Sequence, residues 1–336
     1  MRLMLEKLRE RGRPYVAALF IVAILANAAG AFAKVPVILS TDVGNEIDDQ
    51  WAIAYMLANP QTFDVLGIVS SHAPSLPDPS AHYTYLILKD EVENRLGLAQ
   101  HPPLFEGASV PLQDDHTPII TAGVTFIIDA SKNFSSNDRL TILTIGAATD
   151  VASAIIEDPT IANRIRVVAM AFTSWPDGGN EFNVANDVKA WQVILNSKVP
   201  VVIGSGSVCR ADLSLSLDQA KQLVGNRGPV GEWLYAEFAM WYFRNVKPLR
   251  RTDFSKKWVI WDTITLAYVE GLTTQETHPR PTLSDAMQFG PGRKGETVTW
   301  ITSVDSKRMW ADFTEKLDFY QSTHRVPDFS LDSVLH

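Results

Sequence analysis

The chain has 336 residues, 46% hydrophobic and 20% charged, with a formal net charge of −8. That length and apolar content suit one large or two ordinary globular domains and exclude global disorder. The acidic balance excludes a general nucleic-acid binder, which needs a basic face. Cys209 is the only cysteine, so no intramolecular disulfide and no thiolate-built structural zinc site can form.

Residues 1–33 read as separate from the fold. Arg2, Lys7, Arg9, Arg11 and Arg13 outnumber Glu6 and Glu10, and the run from Tyr15 to Phe32 is almost wholly apolar or small. It ends in Ala31-Phe32-Ala33, a small-residue cleavage pattern. This is the pattern of a secretory signal peptide over 1–33, cut before Lys34. Residues 34–336 are then a single domain, periplasmic or secreted, with no stable membrane insertion. An uncleaved anchor is the alternative, because the apolar run is about long enough to span a bilayer. Removing five positive and two negative charges takes the net charge from −8 to −11.

Strands and helices then alternate. The pattern predicts strands at 35–39, 64–70, 140–145, 164–171 and 199–204, with helices at 50–58, 81–96, 151–156 and 184–196 between them. An aromatic-rich helix follows at 230–245, with Pro229 as its start signal. A loop runs into a helix over 258–269, a strand covers 297–303, and a last helix covers 306–320. The rhythm predicts an α/β fold: an open, mostly parallel sheet with helices on both faces. Pro74, Pro77 and Pro79 mark a loop after the second strand.

Ligands of such sheets bind beyond the carboxyl ends of the strands. Asp42, Ser71, His72, Thr149 and the segment 173–183 all fall there. Asp42, Glu46, Asp48 and Asp49 put four carboxylates within eight residues. They repel one another unless a cation or protons neutralise them. Calcium suits such a set, since it takes six to eight oxygen ligands, and no His or Cys cluster competes for a softer metal. Helix capping by Asp48 or Asp49 accounts for one or two acids, not four. The Gly-x-Gly-x-x-Gly match at 290–295 opens no helix and reads as a turn. Neither a Walker sequence nor a Gly-x-Ser-x-Gly elbow occurs. Arg210 and Asp212 read as a surface pair.

Thr41-Asp42-Val43-Gly44 through Ile47-Asp48-Asp49 resembles the amino-terminal signature of the nucleoside hydrolases. The likeness continues in order through 103–108, 145–150, Glu181-Phe182-Asn183 with Asp187 and Ala190, and Trp261-Asp262. The resemblance implies a calcium-dependent hydrolase of N-glycosidic bonds in nucleosides or other ribosides, usually a homo-oligomer. It implies that Asp42, Asp49 and Asp262 bind Ca2+ through carboxylates and Thr149 through its carbonyl. Asp42 is also the implied general base, while Asp48, Glu181 and Asn183 are the implied ribose contacts.

The sequence departs from that pattern in four places. Asn45 and Glu46 are inserted, which leaves Glu46 as a ligand, a sugar contact or a solvated side chain. Trp261 stands where the family has a His able to protonate a departing purine; it either stacks on a substrate ring or packs in the core. His72 replaces an expected Asn and is either a polar contact or exposed. The loop before Glu181 is shortened, so Asn180 can take over a sugar contact and Trp175 can form a rim platform. The alternatives to nucleoside hydrolysis are hydrolysis of another glycoside on the same fold, or calcium-dependent sugar binding without catalysis.

Overall fold

A computed structural model describes residues 34–246 and 256–326. The expected signal peptide lies outside these residues, and among them no helix is long and apolar enough to cross a membrane. From Val35 onward the described residues pack as one unit.

The core of the fold is an eight-stranded sheet. Its strands are β1 (Val35–Thr41), β2 (Phe63–Ser70), β3 (Leu104–Glu106), β4 (Leu140–Thr144), β5 (Ile165–Met170), β6 (Val201–Gly204), β9 (Thr273–Leu283) and β10 (Phe289–Val304). Their spatial order is β3-β2-β1-β4-β5-β6-β10-β9, parallel throughout except for the β10–β9 pair. A minor antiparallel pair joins β7 (Ser214–Ser216) to β8 (Lys257–Val259). Strand order reverses between β1 and β4, which makes their carboxyl ends the expected ligand crevice.

The strands are apolar runs because both faces of the sheet are covered. Side chains alternate across a strand. Accordingly Val37, Leu39, Leu143, Val168 and Met170 enter one core, and Ile38, Ile142, Val167 and Ala169 the other. The first core is closed by α1 (Asp48–Ala58), α9 (Gly228–Asn245), α10 (Thr263–Val269) and α11 (Ser306–Thr323). The second is closed by α3 (Ala122–Ser131), α4 (Thr149–Glu157) and α6 (Val188–Asn196). Every residue of α1 is buried, beginning with its two aspartates. Trp51 anchors that helix between Phe238, Trp310 and Phe313.

Several sequence expectations change. The predicted 184–196 helix is two helices, α5 (Phe182–Asn186) and α6, broken at Asp187. The Asp187 carboxylate accepts from Ala190 N at 2.8 Å, so an N-cap interrupts an otherwise helical pattern. The predicted 81–96 helix is α2 (Ser80–Asp90) followed by a π-turn at Glu91–Arg95. Strand β9 carries Pro279 and Pro281 and was not expected; as the last strand of the sheet it tolerates residues that donate no ladder bond. The Gly290–Gly295 segment is not a turn but an irregular stretch of β10, with register shifts on both sides of Gly292. The helices α7 (Gly206–Asp212) and α8 (Leu217–Leu223) were also not expected.

At the carboxyl end of α1, Glu270 accepts hydrogen bonds from Asn59 Nδ2, at 2.7 Å, and from the Tyr55 hydroxyl. That hydroxyl also lies 3.0 Å from Asp312 Oδ2. Burial pushes Glu270 from 4.5 up to about 7, and Asp312 adds to the shift. The folded state therefore holds a proton that the unfolded chain releases earlier. Stability from this group is full below about pH 4.5, falls as pH rises to about 7, and changes no further above that. Glu270→Gln should narrow the stability difference between about pH 4 and pH 8 in urea unfolding; an unchanged difference would contradict the assignment.

Candidate active site

The crevice at the carboxyl ends of β1, β4, β5 and β6 holds a cavity of about 230 Å³. Asp42, Asn45, Glu46, Asp48 and Asp49 form one wall, Ile145, Met170 and Thr173 the floor of strand ends, and Asn180 to Asn183, Gly206, Arg210, Trp261 and Asp262 the rest. The inserted pair thus belongs to the site.

The acidic wall is built by a tight turn from β1 into α1. Asn45 N donates to Asp42 O at 3.1 Å, and Gly44 takes a φ of 98° that other residues rarely adopt. Thr41 Oγ1 donates to Asp49 Oδ1 at 2.5 Å, and Asn45 Nδ2 to Asp42 Oδ2 at 3.0 Å. Asn45 is held in turn by the Ser75 hydroxyl, from the proline-containing loop after β2. The first inserted residue therefore orients Asp42.

Carboxylate oxygens of Asp48, Asp49 and Asp262 lie within 4.8 Å of one another. Asp42 lines the same cavity but stands outside this closest trio. All four are 4% exposed or less. Burial, reinforced by mutual repulsion, pushes Asp42, Asp48 and Asp262 well above the usual carboxylate range; burial pushes Asp49 to about 7. Among the described residues no Lys or Arg forms an ion pair with any of the four. Hard oxygen donors gathered without a counter-charge fit a cation such as Ca2+.

Glu46 lines the same wall but is held by two indoles. Its Oε1 accepts from Trp258 Nε1 at 2.6 Å and from Trp261 Nε1 at 3.0 Å. Burial raises its pKa and the two indole donors oppose the shift. Trp261 is thus pinned edge-on to Glu46, and its ring lies 4.9 Å from the Arg210 guanidinium carbon. Arg210 and Asp212 are not a pair: Arg210 lies on Trp261, while Asp212 Oδ2 accepts from Val304 N at 2.8 Å. Residue 210 sits on α7, beyond the end of β6, which is why it reaches the cavity.

On the opposite wall, Glu181 caps α5 by accepting from Asn183 N at 3.0 Å and Val184 N at 3.1 Å. Burial pushes it to about 7 against those bonds. Asn183 Nδ2 donates to the carbonyls of Ile145 and Met170, so its amide oxygen is what remains for a ligand. Asn180 and the exposed Phe182 complete this side.

Two candidates lie off the cavity lining. Thr149 Oγ1 donates to Asp187 Oδ2 at 2.7 Å, and His72 Nδ1 shares a 3.0 Å hydrogen bond with Ser80 Oγ. Trp175 stacks on His278 and packs against Phe289 and Trp300 instead of forming a rim. In α9, Trp233, Phe238 and Tyr242 are core residues.

Residues 37–311 match the family described as inosine-uridine preferring nucleoside hydrolase. The chain belongs to this family. It is accordingly an N-glycosyl hydrolase of the nucleoside hydrolase type. A pyrimidine-specific ribonucleoside hydrolase, RihB, of Escherichia coli O1:K1 is 23% identical over 263 residues, covering 71% of this chain and 76% of that protein. An uncharacterized Schizosaccharomyces pombe protein is 33% identical over 104 residues, 30% of this chain and 33% of its own length. An inosine-guanosine nucleoside hydrolase superimposes with a TM-score of 0.67 at 17% identity, over 84% of this chain and 98% of its own. A purine-preferring ribonucleoside hydrolase from Gardnerella vaginalis gives 0.62 at 19%, over 85% and 98%. The two solved structures share the fold, and RihB differs from them in base preference by name.

Gly146, at the end of β4, lets this site close. A Cβ there would stand 2.8 Å from both Asp42 N and Asp42 Oδ1, and 2.5 Å from Ser71 Oγ. Gly146→Ala should cost about 1–3 kcal/mol in urea unfolding, as overpacking does, and should lower hydrolytic turnover by displacing Asp42. A variant equal to the parent in both would contradict the close approach.

Proposed function

We propose that the protein is a calcium-dependent ribonucleoside hydrolase with Asp42 as general base. The observation that carries this reading is the buried, uncompensated set Asp42, Asp48, Asp49 and Asp262 facing Glu181 and Asn183 across one small cavity. Asp49 and Asp262 belong both to the ligand set that the family resemblance implies and to the trio whose oxygens converge. They are the core of the cation site, flanked by Asp48 and Asp42. A bound Ca2+ supplies positive charge that eases ionisation of a neighbouring water.

The remaining chemistry falls to side chains of this chain. Asp42, held at Oδ2 by Asn45, takes the proton from the attacking water. The water oxygen bonds to the anomeric carbon as the bond to the base nitrogen breaks. The sugar passes through an oxocarbenium-like state, which the surrounding carboxylates stabilise. The amide oxygen of Asn183 and the carboxyl of Glu181 accept from ribose hydroxyls. An analogue lacking those hydroxyls would leave buried polar groups unpaired, which makes the sugar end selective.

The test is turnover of a ribonucleoside panel with and without a calcium chelator. Asp42→Asn should reduce kcat by about 10²–10⁴-fold, the range for loss of a general base, and chelation should abolish turnover until Ca2+ is restored. Turnover indifferent to both treatments would contradict the mechanism; sugar binding without turnover of any riboside would contradict hydrolysis itself.

A further inference from the structure

The cavity has a second pole that the hydrolytic machinery does not use. Arg210 is the one cation among the described residues lining it, against six carboxylate side chains. It is exposed, and it forms no ion pair with a described residue. A flexible guanidinium beside so many acids would ordinarily fold onto one of them. Here its guanidinium carbon stands over Trp261, 4.9 Å from the ring centroid, and Trp261 is fixed by Glu46, whose single oxygen Oε1 accepts from both indoles. The Trp261 carbonyl also accepts from Cys209 Sγ at 3.5 Å, which ties the tryptophan to Arg210's own helix. Both groups pack beside Gly206, where a Cβ would make ordinary contact at 3.7 Å with Arg210 Nη2 and the Trp261 ring. Glu46 thus holds a platform that keeps a cation at the mouth of the cavity and away from the acids.

Resting on the nucleoside hydrolase reading above, we propose that Arg210 is the electrophile for the departing base. Breaking the glycosidic bond sends its electron pair onto the base nitrogen. In a base with a carbonyl next to that nitrogen, the pair delocalises onto the carbonyl oxygen. The guanidinium donates hydrogen bonds to that oxygen, in a geometry matched to planar acceptors. An arginine side chain donates such hydrogen bonds without acting as a general acid. The water's oxygen goes to the sugar, its proton to Asp42, and the released base anion is reprotonated by solvent. No His or Lys lines the described cavity to act as general acid. The substrate class is therefore a ribonucleoside whose base leaves as an oxygen-stabilised anion, a 2-oxopyrimidine type in preference to a purine that must be protonated at a ring nitrogen. Arg210 is the specificity-determining residue, and Glu46, which acts through Trp261, is a positioning residue.

The experiment compares kcat and KM for uridine, inosine, uridine 5′-monophosphate and p-nitrophenyl riboside in the parent protein, Arg210→Met, Arg210→Lys and Glu46→Gln. The p-nitrophenolate leaves unaided, so it reports the sugar and water chemistry alone. Arg210→Met should lower kcat for uridine by about 10²-fold or more, the scale of losing one charge-stabilising donor, and change p-nitrophenyl riboside turnover less than about threefold. Added guanidinium at non-denaturing concentration should restore part of the uridine rate in Arg210→Met. Arg210→Lys should be intermediate, and Glu46→Gln should show the same split in milder form. Equal losses on uridine and p-nitrophenyl riboside would overturn the proposal. So would a parent preference for inosine, or a selective loss of the 5′-monophosphate, which would make Arg210 a phosphate contact. A parent inactive on every riboside would remove the hydrolase reading first, and this proposal with it.

Discussion

The rest of the structure is arranged around the cost of burying four aspartates in one small volume. Taking a carboxylate out of water is unfavourable, and placing others beside it adds repulsion. The protein offsets part of that with local donors: Thr41 to Asp49 and Asn45 to Asp42. It still leaves Asp48, Asp49 and Asp262 within 4.8 Å of one another, with no described Lys or Arg in an ion pair with them. Such an arrangement is stable with protons or with a bound cation. The fold supplies the rigidity it requires. Asp42 follows a buried central strand, Asp48 and Asp49 open a helix buried on all sides, and Asp262 precedes α10 in the same core.

Most of this fold was legible because the governing periodicities are local. Apolar runs of strand length alternated with helical patterns, which is the signature of a parallel sheet covered on both faces. The failures were equally physical. Pro279 and Pro281 hid an edge strand, since proline argues against strands everywhere except at an edge. Asp187 hid a helix break, because an N-cap within apolar periodicity leaves no trace in the pattern. The glycines at 290–295 gave a turn reading to what pairing with β9 makes a bulged strand.

The acidic wall was legible from spacing alone, and Asn183, Glu181, Asn180, Trp261 and Asp262 do meet it across the cavity. What spacing could not give was direction. His72 is near in sequence to a strand end, yet its ring turns to Ser80; the Thr149 hydroxyl turns to Asp187, which bears on its side chain and not on the carbonyl that the resemblance implies as a ligand. Glu46, one of four clustered acids, lines the same wall but is tied to two indoles. Arg210 was passed over as half of a surface pair, although its place beyond the end of β6 was the same signal that singled out Asp42. The inserted Asn45-Glu46 pair has two separate effects: Asn45 holds Asp42 by a hydrogen bond, and Glu46 fixes Trp261. An insertion that departs from the family pattern is part of the cavity wall.

The central claim is that the buried aspartates exist to hold one cation. Calorimetric titration of Ca2+ into chelator-stripped protein, alongside Asp262→Asn, tests it most directly. The account predicts saturable binding of about one ion per chain in the parent and binding weakened by at least about tenfold in the variant, since an uncompensated loss of one carboxylate ligand removes a large share of the site's charge. Absence of Ca2+ binding in the parent, or equal affinity in the two proteins, would contradict it.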